Sequence, residues 1–107
     1  MKKLMIAVCM FFTSIASNVY ADGHGNIKMG IILGFTGPIE SLTPAMAASA
    51  ELAFNEASDS GSLLGGKKIK VERADSTCVD SAAATSAAEG LVSNGVVAIM
   101  GADCSGV

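Results

Sequence analysis

Histidine occurs once in the 107 residues, as His24 in the Gly-rich stretch 22–26 (DGHGN), and that scarcity removes several kinds of chemistry. A Ser or Cys nucleophile needs a base within reach, and His24, read as a solvated residue of a flexible leader, is not placed to serve. The GxSxG pattern of a strained nucleophile turn is absent as well. Gly30, Gly34 and Gly37 do not have GxGxxG spacing, and Pro38 occupies the turn where a pyrophosphate would sit. Gly65-Gly66-Lys67 lacks the earlier glycine of a phosphate loop and precedes a strand pattern instead of a helix. No catalytic residues, no cofactor and no metal ligands are expected. Asp75 and Asp80 read as caps of turns and helices, not as a proton-transferring pair.

Positive charge is also in short supply. From Asp22 onward there are five Lys or Arg against ten Asp or Glu, a net charge of −5 that repels phosphate backbones, so nucleic acid is not an expected partner. Charged residues make up only 16% of the chain against 50% hydrophobic, which excludes a long disordered tail or a polybasic arm. Room exists for one small domain.

Long hydrophobic runs are missing too. The apolar run 4–12 (LMIAVCMFF) has nine residues, where a membrane span needs about 20. Preceded by Lys2 and Lys3 and followed by Val19-Tyr20-Ala21, it reads as a secretory signal peptide over residues 1–21, cleaved after Ala21, with residues 22–26 a flexible leader. The competing reading is an uncleaved anchor extended through Ile15 and Ala16. Cys9 follows Val8, where a lipid-attachment site wants a small residue, and is expected to leave with the peptide. Export places the two remaining cysteines, Cys78 and Cys104, in an oxidising compartment. They allow one pairing, and no nearby His or further Cys supports a zinc site. A disulfide between them is expected, worth roughly 3 to 4 kcal/mol for a closure of 26 positions. It also explains Cys104 better than a reactive thiol would.

What is present is an alternation of strand and helix patterns. Residues 27–35 (IKMGIILGF) read as a strand buried on both faces, broken by Thr36-Gly37-Pro38. After Pro44, Met46, Ala50, Ala53, Phe54 and Ala57 recur at helical spacing and predict one buried stripe. Residues 58–66 (SDSGSLLGG) form a turn-rich connection, and residues 67–74 (KKIKVERA) alternate like a strand exposed on one side, near an edge. Asp80 is a plausible N-cap for a second helix whose buried face holds Ala84, Ala87, Ala88, Leu91 and Val92, ending at Asn94-Gly95. Residues 96–100 (VVAIM) read as a third strand, with Met29, Met46 and Met100 as core material.

This order predicts an α/β fold, an open, doubly wound parallel sheet of β-α-β-α-β order. Three strands and two helices leave such a domain unfinished, and residues 101–107 (GADCSGV) resemble the opening of a third helix, so the chain is expected to be a fragment or a truncated reading frame. Residues 22–107 alone, with unpaired strand edges, are expected to be poorly soluble and to unfold without cooperativity. Ligands of open parallel sheets bind beyond the carboxyl ends of the strands. Segments 36–43, 75–79 and 102–106 lie there. Ser105 and Gly106, at an incipient helix start with free amides, suit an anion, although Ser105 reads equally as a simple N-cap.

Taken together, Ile27-Lys28-Met29-Gly30-Ile31, Thr36-Gly37-Pro38, Leu64-Gly65-Gly66-Lys67-Lys68-Ile69, Ala74-Asp75 with Cys78, and Gly101-Ala102-Asp103-Cys104-Ser105-Gly106 resemble the branched-chain amino acid (Leu/Ile/Val) binding proteins of ABC transporters, within the type I periplasmic binding proteins. The resemblance covers residues 26–107, and the two cysteine contexts are its most specific element. It implies a two-lobed receptor that closes on its ligand, with residues 27–107 as the start of the amino-terminal lobe. It further implies a periplasmic location, a disulfide at Cys78 and Cys104, a substrate-binding pair at Ser105 and Cys104 with Ser105 gripping the carboxylate, and a pocket-lining position at Leu42, where the family commonly carries an aromatic. Phe35, where many members have Pro, is another departure. The implied partners are a small amino acid, branched-chain or related, and the permease subunits of an ABC transporter in the inner membrane. A sensor ectodomain of the same fold, and binding of an amide, urea or aromatic acid, are the alternatives from within this architecture. An exported α/β enzyme would be the alternative from outside it.

Overall fold

A computed structural model describes residues 25–107; the proposed signal peptide, its cleavage after Ala21, and His24 lie outside the described residues. The elements are β1 (Ile27–Leu33), α1 (Thr43–Asp59), a single 3-10 turn (Leu63–Gly65), β2 (Ile69–Asp75), α2 (Ser81–Ser93) and β3 (Ala98–Met100). All strands are parallel, in the order β2-β1-β3, so β1 is central. The register runs from Ile27 opposite Ile69 to Leu33 opposite Asp75 on one side, and from Met29 opposite Ala98 to Ile31 opposite Met100 on the other. Among the described residues no helix is long and apolar enough to cross a membrane.

The alternation of side chains along β1 explains the two-sided burial. Ile31 and Leu33 are buried against Ala47 of α1, joined by Phe35, Ala50, Phe54, Val71 and Met100. The alternate residues Gly30 and Ile32 face α2: a Cβ on Gly30 would lie 2.9 Å from Cδ1 of Leu91, so glycine is what lets α2 approach the strand. The two helices therefore cover opposite faces of the sheet, as a doubly wound α/β fold requires.

β1 and β3 are shorter than their apolar runs and β2 starts two residues later than its alternating pattern and ends one later, at Asp75, and backbone hydrogen bonds supply the reason. β1 stops at Leu33 because the Gly34 N–H and C=O turn to side chains, the Asp103 carboxylate and the Thr43 hydroxyl. β2 starts at Ile69 because the Lys67 N–H still donates to the Leu63 carbonyl. β3 starts at Ala98 because the Val96 N–H donates to Leu91 O, closing the end of α2, while the Val97 N–H reaches Lys28 O.

The helix faces need two corrections. The buried stripe of α1 runs through Thr43, Ala47, Ala50, Phe54 and Ser58, and both Met46 and Ala53 are exposed, so Met46 is not core material. In α2, Ala84 and Leu91 are buried and Ala87 and Ala88 half-buried, but Val92 is exposed. Spacings of three and four allow neighbouring stripes, and only packing against β1 selects between them. Asp80 caps α2, accepting from the amides of Ala82 at 2.9 Å and Ala83 at 3.1 Å.

Candidate functional site

The crossover from β1 to β2 leaves to one side of the central strand and that from β2 to β3 to the other, so the carboxyl ends of β1 and β3 flank the point where the winding reverses. Three loops meet at this edge, residues 34–42, 76–80 and 101–107. Side-chain acceptors and donors hold them together.

Asp75, the last residue of β2, bridges two of the loops. Its Oδ1 accepts from the amides of Thr36 at 3.2 Å and Thr77 at 2.8 Å, and its Oδ2 from the Thr36 hydroxyl at 2.6 Å. Burial works to raise this carboxyl, but the Thr36 hydroxyl and the amides of Thr77, Thr36 and Phe35 outweigh it and hold Asp75 below its ordinary value. Thr77 and Cys78 follow with φ of 58° and 68°, the left-handed region non-glycine residues seldom enter. Gly37 takes φ 94° directly against this turn, and a Cβ there would collide with the Thr77 carbonyl.

The third loop is joined to both of the others. Asp103 accepts from the Gly34 amide with Oδ1 at 3.1 Å and Oδ2 at 3.3 Å, across 69 positions of sequence. The next residue, Cys104, is bonded to Cys78, with 5.4 Å between the Cα atoms. Ser105 and Gly106 then project as an exposed turn, closed by the Val107 amide donating to Cys104 O at 3.4 Å. Among the described residues the Ser105 hydroxyl makes no hydrogen bond within the chain. Leu42 lies on the first loop as the N-cap residue of α1, 60% exposed and without a capping side chain. Of the three sequence-expected binding residues, Ser105 and Leu42 are thus exposed at the same edge, and Cys104 serves as the half-buried anchor of its loop.

No Lys or Arg occurs in residues 34–43, 75–80 or 101–107. Lys28, Lys67, Lys68 and Lys70 lie toward the opposite, amino-terminal ends of the strands, and Arg73 is held by Glu51 of α1 through contacts of 2.6 and 2.8 Å. A ligand carboxylate at this edge would meet amides and hydroxyls without a formal cation. Among the described residues no group of three His, Cys, Asp or Glu is arranged to hold a metal ion.

An open groove of about 260 Å³ lies nearby on the α2 face, lined by Ile32, Ala84, Thr85, Ala88, Ile99 and Val107. Its one side-chain hydroxyl, on Thr85, already donates to Ser81 O at 2.8 Å. The groove walls are small and apolar with no free side-chain donor, whereas the edge presents the Ser105 hydroxyl, so the polar edge is the stronger candidate.

Reasoning from sequence missed Asp103 and Thr43. Thr43, fully buried, donates from Oγ1 to Gly34 O at 3.1 Å, so together with Asp103 it occupies both backbone groups where β1 ends. A Thr directly before Pro44 was a legible helix-start signal, though the hydroxyl serves the strand and not the helix. Nothing local marked Asp103.

A family model described as periplasmic binding protein matches residues 26–107, which takes in every described element of the sheet and all three loops of the edge. No curated protein matches the chain. With the parallel β2-β1-β3 sheet, helices on both faces and a polar edge at the strand ends, that match establishes that the chain belongs to the periplasmic binding protein family.

Proposed function

We propose that this chain is part of the substrate-binding component of an ABC transporter, capturing a branched-chain or related small amino acid in the periplasm for delivery to membrane permease subunits. Residues 27–107 then form part of the amino-terminal lobe, and residues 1–21 are the export signal, cleaved after Ala21. Ser105 carries the reading: an exposed hydroxyl on a turn rich in free amides, at the edge where the winding reverses, with no competing bond among the described residues. It is the group that takes the ligand carboxylate. Cys104 fixes its approach, and Leu42 lines the apolar side of the pocket.

No bond is made or broken in this function. Ligand shifts a two-lobed receptor toward its closed form only by binding that form more tightly, and the closed form is what the permease reads. The absence of Lys and Arg from the edge favours a zwitterion, whose ammonium offsets the carboxylate, over a simple anion.

Isothermal titration of the full-length protein with leucine, isoleucine, valine, small amides and urea tests this. Heat with one or more of the three amino acids is expected. Heat with amides or urea alone would move the protein to the amide-binding alternative, and silence from all of them would sink the amino-acid reading. Ser105→Ala is expected to weaken carboxylate ligands about tenfold, the scale of one hydrogen bond to a charged group, and to leave neutral amides unaffected. Unchanged affinity for the amino acids would remove Ser105 from the site.

A further inference from the structure

We propose that Asp103 is the positioning residue for Ser105, an inference that rests on the carboxylate-binding role given to Ser105 above. The amide at the end of the central strand is a group that a ligand could claim where the winding reverses. Here the protein claims it: both carboxylate oxygens of Asp103 lie within hydrogen-bond distance of the Gly34 N–H, at 3.1 and 3.3 Å. The bond fixes the loop after β3 to β1, while Cys104 fixes the same loop to the turn after β2 through Cys78. The two residues immediately before Ser105 are therefore tied to two different strand ends. After Ser105 the turn is closed by the Val107 amide on Cys104 O, and Val107 is half-buried beside the groove on the α2 face. A covalent bond at Cys104 alone is a pivot about which the turn can swing. The Asp103 bond removes that rotation and sets where the Ser105 hydroxyl stands.

The charge of Asp103 sharpens the assignment. A carboxylate two residues from a group that binds a carboxylate repels the ligand, so its presence there needs a geometric reason, and the Gly34 amide supplies one. Replacing the charge while keeping an acceptor should therefore separate position from electrostatics. In Asp103→Asn the side-chain carbonyl can still accept from Gly34 without the repulsion, whereas Asp103→Ala leaves the amide without its partner.

The experiment compares the full-length protein with Asp103→Ala and Asp103→Asn by two readouts. The first, amide hydrogen exchange in the unliganded protein, needs no ligand. In Asp103→Ala exchange at Gly34 and at Val107, whose amide closes the turn that holds Ser105, is expected to rise about tenfold while Met29 and Val71 in the strands keep their rates, and Asp103→Asn is expected to stay near the parent. The second is titration with leucine, isoleucine and valine, in which Asp103→Ala is expected to bind about tenfold more weakly and Asp103→Asn at least as tightly as the parent. Unchanged exchange at Val107 in Asp103→Ala, or a rise spread evenly through the sheet, would overturn the assignment. So would equal loss of affinity in the two variants. If the parent protein gives no heat with any of the three amino acids, the proposed function fails, while the exchange rates still decide whether Asp103 holds the Ser105 turn.

Discussion

Asp75 gathers three donor contacts onto one carboxylate at the end of β2, and most of the edge geometry depends on its charge. Because its folded value is lowered, its contribution to stability is fully present above the unfolded carboxylate range, about pH 4, and is lost as the pH falls through the folded value below that. The amide resonances of Thr36 and Thr77 should report this titration in an NMR series on the full protein, with a midpoint below the ordinary carboxylate value. A midpoint at or above about pH 4 would mean that burial outweighs the donors. This residue was legible in the sequence as a turn-capping acid. Its partner Thr36 was visible only as part of a break after the first strand, because a bond across 39 positions leaves no local pattern.

At the scale of the element, α1 shows what periodicity can and cannot decide. Helical spacing identified the helix and its approximate start, but Met46 and Ala47 belong to adjacent candidate stripes, and apolarity pointed to the larger side chain. The packing chose Ala47, fully buried against Ile31 and Leu33, while Met46 is 42% exposed. Ala47→Leu should therefore cost about 1 to 3 kcal/mol by overpacking the seam between helix and sheet, and Met46→Lys should fall within about 0.5 kcal/mol of the parent. Urea midpoints of the full protein check both, and the reverse order would restore the stripe that sequence alone favoured. The Glu51–Arg73 pair adds a polar fastening of α1 to β2, with Arg73 also lying 5.5 Å from the centre of the Phe35 ring. Exposed as these two side chains are, the pair contributes about 1 kcal/mol at most.

Across the whole molecule, the Cys78–Cys104 bond joins the loops that follow the second and third strands, passing over the end of the first. Cys78→Ser with Cys104→Ser, or reduction in urea, should lower stability by roughly 3 to 4 kcal/mol on the chain-entropy account. The Asp75 network does not involve either sulfur, so the Thr36 and Thr77 amides should stay protected after reduction at neutral pH, and exchange should rise first at Val107, whose amide donates to Cys104 O. Loss of protection at all three together would show the edge to be one cooperative unit.

The sequence by itself determined the alternation of strands and helices, the parallel sense of the sheet, the Asp80 cap and the placing of Leu42 and Ser105 in loops at the carboxyl edge of the sheet. These follow from side-chain periods of two and about 3.6 and from turn residues, all of which act over a few positions. Only the tertiary structure decided which stripe of each helix is buried, where each strand stops, and that Asp103 and Thr43 occupy the backbone groups of Gly34. Those outcomes depend on contacts between residues up to 69 positions apart, where the competition among donors and acceptors is settled by the closed sheet and not by any neighbour in the chain.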